Sequence, residues 1–252
     1  STGYTALFNT IGFTSETHMF KPFADRVEST YQFEMTLLDF IDKNYKDILT
    51  VRIKANEEIS KQKQYALQWE LDTTVWKDIE FLGYEPEFSK SDVTGKERLS
   101  YNRGAPKTTS IRHYNKYLPS IIIEKPDYYI IPQAWGDVID RLRINGVKMI
   151  PITEDQQLDV EAYHITDFNT KDKPYEGHYL HNDVKVEKVV EPIQFYRGDF
   201  AIPTDQIRNK FIVETLEPQG VDSYFAWNFF DSIKINNKII SNNFINIKDL
   251  ET

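Results

Sequence analysis

The sequence predicts a mixed α/β fold: an α/β stretch over residues 1–63, then a β-rich module over residues 64–252 that contains one βαβ unit. Three observations carry this. Apolar residues between Val27 and Ile48 recur every three or four positions, the period of a helix with one apolar face. From Gln64 the period drops to two, the mark of half-buried strands. A helical stretch at 133–144 then lies between two strand-like runs.

In chain order, Ala6 to Thr17 mixes Leu7, Phe8, Ile11 and Phe13 with Thr and reads as a largely buried strand with its approach loop. Pro22 punctuates. Val27, Tyr31, Met35, Leu38, Ile41, Tyr45 and Ile48 then form the stripe of the strongest helix, and a second, polar helix is expected from Thr50 to Lys63. Tyr65, Leu67, Trp69 and Leu71 alternate with other residues as a strand should. Further strands are expected at Ile79–Tyr84, Ser120–Glu124, Asp127–Ile131, Leu158–Thr166, Val184–Val190 and Ile193–Tyr196. The polar span Glu85–Asn115, with Gly95, Gly104 and Pro106, reads as a long loop.

Trp135, Val138, Ile139 and Leu142 define a helix that Asn145-Gly146 stops, and strands Tyr128–Ile131 and Val147–Ile150 complete the βαβ unit. Thr204 is placed to cap a helix through Leu216, ended by Pro218. An aromatic helical piece is expected over Ser223–Ile233, and the Asn pairs at 236–237 and 242–243 read as turns.

Composition narrows the partners. Thirty basic residues against 39 acidic give a net charge of −9, with no run of four Lys/Arg, so a general nucleic-acid-binding role is disfavoured. Apolar runs fall short of the roughly 18 residues a membrane-spanning helix needs, so no membrane span is expected. The absence of cysteine excludes disulfides, thiolate metal sites and a Cys nucleophile. Residue 1 is Ser, the chain carries no signal peptide, and it opens inside a structured pattern, as a processed or truncated chain would.

Chemical interest centres on Ser15-Glu16-Thr17-His18. On a strand, Glu16 and His18 share a face, setting a carboxylate beside an imidazole where an open α/β sheet binds ligands. There Glu16 would serve as general base or acid; the alternative is a surface Glu beside a hydrogen-bonded His. His178 and His181, with Asp183, have the spacing to meet a metal on a helix but face apart on a strand, which favours structural roles; His164 with Asp167 fails in the same way. Aromatics at Tyr224–Phe230, Trp69 and Trp76 offer either a sugar-stacking platform or core. No G-x-S-x-G, G-x-G-x-x-G or phosphate-loop motif occurs.

The run from Gly12 to Phe23, with Arg26-Val27, resembles the last strand and final helix of zinc carboxypeptidases of the funnelin class, in particular large secreted members from Bacteroidetes-type bacteria. Tyr129–Trp135, Pro174–His181, Glu214–Pro218 and Trp227–Asp231 resemble the carboxy-terminal extension of those proteins. The resemblance implies that residues 1–63 end a peptidase domain and that 64–252 is an accessory module. It makes Glu16 the catalytic carboxylate that helps a zinc-bound water attack a peptide carbonyl, with His18, Lys21 and Arg26 supporting it.

The family's zinc ligands, a His-x-x-Glu pair and a later His, have no counterpart here: none of the five His is followed by Glu at the third position. Zinc and a peptide substrate are therefore expected of the parent protein, in a periplasmic or secreted setting, and this chain alone is expected to bind no zinc and to be inactive. An amino-terminal strand without its sheet neighbours is expected to pair with a second copy, to be covered by the carboxy-terminal module, or to need the rest of the domain. The competing reading is a non-catalytic β-rich module that binds glycan or protein.

Overall fold

The helix period between Val27 and Ile48 becomes one helix, α2 (Phe23–Lys61), which absorbs the separate polar helix expected from Thr50. No Gly or Pro interrupts its 39 residues, and Pro22 stands just before it, where its missing N–H breaks no helical bond. In the computed structural model the described residues are 2–19 and 21–231, with the backbone of 234, 235, 238 and 239. None of the residues of α2 is fully buried.

The expected strand over 6–17 is absent. Its first residue ends α1 (Thr2–Ala6), turns follow through Asn9 at φ +50°, and residues 10–18 form no regular secondary structure. A strand exists through its ladder, and no described strand pairs with this segment. Leu7 and Phe8 instead pack on the core, where the Phe8 ring stacks on Phe211 at 5.3 Å. Self-association through an amino-terminal strand thus has no strand to act through.

Beyond α2, β1 (Gln64–Leu71) buries Tyr65 and Leu67 as the alternation requires, while Trp69 and Leu71 are exposed. β1 pairs with β4 (Tyr117–Glu124). The central sheet runs β5 (Tyr128–Ile131), β9 (Phe200–Pro203), β6 (Ile150–Pro151), with β5 and β6 both antiparallel to β9. They are therefore parallel to each other and joined through α3 (Gly136–Ile144): the expected βαβ pair, opened by an inserted strand. Its second strand starts late because the Gln206 side chain takes both backbone groups of Lys148, accepting from its N–H at 2.8 Å and donating to its carbonyl at 3.1 Å.

α3 turns Val138, Ile139 and Leu142 inward and ends at Asn145, with Gly146 at φ +73° as the stop. The sides of β5 face two clusters: Tyr129 and Ile131 join the main core, and Ile130 joins Ile152, Val160 and Phe195. That explains a continuous apolar run where an alternating one would serve a half-exposed strand. α4 (Asn209–Leu216) buries Phe211, Ile212, Val213 and Leu216. Thr204 does not cap it: its hydroxyl bonds the carbonyls of Pro126 and Asp127, and Arg208 holds the cap position. β7 (Gln156–Thr170) and β8 (His181–Phe195) form a long antiparallel hairpin, and β8 runs through Glu191-Pro192 without the expected break.

The aromatic piece from Ser223 is a chain of turns through Asp231, with Asn228 at φ +53°, and not a helix. It wraps the core and buries Tyr224, Phe225 and Phe230, the last edge-on to Trp135 at 4.9 Å. Ser232, Ile233 and the Asn pairs lie outside the described residues, although β10 (Lys234–Ile235) and β11 (Lys238–Ile239) pair antiparallel.

Residues 1–68 with 121–252 form one unit and 69–120 another. In the second, the expected loop over 85–115 is mostly sheet: β2 (Lys77–Lys90) and β3 (Glu97–His113) form an antiparallel hairpin. Gly95, at φ +67°, serves the tip, where its N–H meets the Ser91 carbonyl. Register jumps from Tyr84↔Pro106 to Glu85↔Asn102, leaving Arg103, Gly104 and Ala105 as a bulge. The Gly and Pro that read as loop signals thus mark a tip and a bulge, and Pro sits easily in a two-stranded sheet, where every strand is an edge.

Candidate functional site

Glu16 and His18 lie on the irregular segment before α2, both exposed, so the same-face argument for a strand does not place them together. Lys21 is also exposed, and its backbone N–H donates to the His18 carbonyl at 3.0 Å, a turn that leads into the helix. Arg26, on the first turn of α2, reaches back so that its Nε lies 3.5 Å from Thr17 Oγ1. Thr17, Arg26, Tyr31 and Glu34 line part of a shallow cleft of about 410 Å³. The structure therefore joins Arg26 to the segment carrying Glu16 and leaves the Glu16 carboxylate in solvent. Below the cleft the α2 stripe continues uncovered through Val27, Leu38, Ile41 and Tyr45.

The two His of the His-x-x-His stretch have separate tasks. His181 is buried, with Nδ1 at 2.9 Å from Thr170 Oγ1 and Nε2 at 2.8 Å from Asp231 Oδ1. Its ring packs between Phe168 and Phe225. His178 Nδ1 meets Asn228 Oδ1 at 2.7 Å, and its ring leans on Phe229. Both pin the tip of the β7–β8 hairpin to the aromatic turns. His164 Nε2 pairs with Glu191 Oε1 at 2.9 Å. Among the described residues no three His, Cys, Asp or Glu side chains converge to hold a metal ion. The described residues do not fit a zinc site.

Sequence reasoning missed a buried carboxylate. Glu217, just after α4, is 2% exposed, and the Tyr129 hydroxyl donates to its Oε1 at 2.5 Å. The Tyr163 phenol also faces it. Burial drives its pKa up to about 7, and the two phenols pull only partly the other way. The same burial holds both phenols well above their ordinary value. This carboxylate, at neutral pH close to its midpoint, links the end of α4 to β5 and β7. The linear sequence carried no clear signal, since Glu214 and Thr215 stand close by in the same stretch and only the fold buries Glu217 fully while leaving Glu214 half-buried.

With the geometry in place, comparison adds a relationship. Carboxypeptidase 2 of Trichophyton rubrum is 28% identical over 109 residues, 43% of this chain and 20% of that protein. The Carboxypeptidase 2 proteins of Trichophyton tonsurans and Trichophyton equinum are each 30% identical over 103 residues. Part of this chain is carboxypeptidase-like. The matched stretch is about one-fifth of the length of these relatives. No protein-family profile matches the chain, and no solved structure is significantly similar.

Proposed function

We propose that this chain is the carboxy-terminal part of a metallocarboxypeptidase-related protein of the zinc, funnelin class, in its Bacteroidetes-type lineage, working in the periplasm or outside the cell on peptides. The observation that carries the reading is the similarity to Carboxypeptidase 2 over about two-fifths of the chain. Two features support it: an accessible carboxylate at Glu16 and a 39-residue helix whose apolar stripe is uncovered. In this reading residues 1–63 close the peptidase domain, α2 lays its stripe on the rest of that domain, and residues 64–252 are an accessory module. Any zinc is held by residues outside this chain.

Glu16 would take the proton of the water that attacks the scissile carbonyl and deliver it to the departing amine, a role that needs an accessible carboxylate with no competing partner. Among the described residues its carboxylate has no hydrogen bond or ion pair. Arg26, held by Thr17, and Lys21, on the turn after His18, would position the segment electrostatically, and His18 would orient its neighbour.

In the full-length protein Glu16→Gln keeps size and hydrogen bonding but removes the base. General-base catalysis is worth about 10²–10⁴-fold, so kcat is expected to fall by that order with metal content and folding unchanged. Wild-type kcat in the variant ends the assignment. Loss of bound zinc alongside kcat would make Glu16 a ligand and not a base.

A further inference from the structure

We propose that a cleft beside α1 is a binding site for an oxyanion, a carboxylate or phosphate group, built from the guanidinium groups of Arg52 and Arg208. The cleft is shallow, about 340 Å³, and is lined by Tyr4, Phe8, Arg52, Ile144, Asn145, Gly146 and Arg208. Its two cations come from different elements: Arg52 from α2 and Arg208 from the cap position of α4. Neither guanidinium has a carboxylate partner among the described residues. In a chain of net charge −9, what distinguishes these two arginines is that they line one concavity from different elements with no carboxylate among the lining residues.

The site is held in shape. Arg208 lies over the Phe8 ring, 4.8 Å from its centre, and Phe8 is fixed by its stack on Phe211. Gly146 lies beside the Nε–Nη2 edge, where an added Cβ would come within 3.6 Å of Nε and 3.7 Å of Nη2, so the missing side chain keeps that edge open. Stacking uses the flat face of the guanidinium and leaves the in-plane N–H fork for an oxyanion, the geometry in which Arg binds carboxylate or phosphate with two parallel bonds. Arg52 shares a helix face with Asn56 and Ile59, at spacings of four and three, and that face is tied down. Asn56 accepts from Asn9 Nδ2 at 2.9 Å, and the Ile59 carbonyl accepts from Asn209 Nδ2. The Tyr4 hydroxyl donates to Asn145 Oδ1, tying together two of the lining residues.

The proposal stands apart from the peptidase reading, since it uses none of Glu16, His18, Lys21 or Arg26. It is tested on the purified chain in chloride-free buffer by isothermal titration with inorganic phosphate and, separately, with acetate. One saturable site is expected, and Arg52→Gln and Arg208→Gln should each weaken it by about 10-fold or more, the worth of a charge-assisted hydrogen bond. Arg52 is exposed, so its variant tests the site without threatening the fold; unchanged circular dichroism checks the Arg208 variant. Binding of acetate and not phosphate assigns a carboxylate ligand; the reverse assigns a phosphoryl group. No saturable binding of either, or equal binding by the double variant, overturns the proposal, as does an equal loss on Arg143→Gln, which would mark general surface charge.

Discussion

Helices α2 and α4 carry the same kind of signal and meet opposite fates. Both show apolar residues at helical spacing, yet α4 buries six of its eight residues and α2 none of its 39. What differs is the material opposite. α4 lies in the main core with Tyr129, Ile202 and Leu142, and its end is tied to the sheets through Glu217. α2 touches that core near Ile59, and its earlier turns present Tyr31, Leu38 and Ile41 outward. Periodicity therefore says which face seeks cover; it does not say that the same chain supplies it.

The contrast can be broken most sharply in α4. Ile212 is fully buried, and Ile212→Ala should cost about 2–5 kcal/mol through lost contacts and the cavity left behind. Urea unfolding of the purified chain measures it, and a cost below 1 kcal/mol would mean the α4 core is far looser than its burial implies.

Glu217 sharpens the same region. The folded state holds its proton more tightly than the unfolded chain, so its contribution is full below the ordinary Glu value of 4.5 and is lost as pH rises through about 7. The expected fall is about 3 kcal/mol between those limits, read as a drop in unfolding free energy from pH 5 to pH 8 beyond that of Glu217→Gln. Identical pH profiles for the two proteins would show that the carboxylate is not desolvated as placed.

The smallest effect belongs to α2. Leu38→Ala removes a side chain that is 59% exposed, and in the isolated chain it should change stability by no more than about 0.5 kcal/mol. If, as proposed, a longer parent protein covers the stripe, the same change should cost about 2 kcal/mol or more there. Near-zero effects in both settings would remove the packing role proposed for α2.

The sequence by itself determined what is local. The period over 27–48, the α3 stripe with its Asn145-Gly146 stop, and the alternation at Tyr65 and Leu67 all appear as read, because helix and strand periods follow from backbone geometry within a few residues. Tertiary structure decided what depends on a partner. Residues 6–17 had the composition of a strand but found no ladder, so the geometry expected around Glu16 and His18 did not follow; residues 85–115 had the composition of a loop but found one in each other. The Arg52–Arg208 cleft joins positions 156 residues apart, and Glu217 reaches Tyr129 across 88, distances at which a linear pattern carries no signal. A hydrogen bond, a desolvated carboxylate or a shared cavity exists only once the chain has folded back on itself, and its free energy is set by the groups that arrive there together.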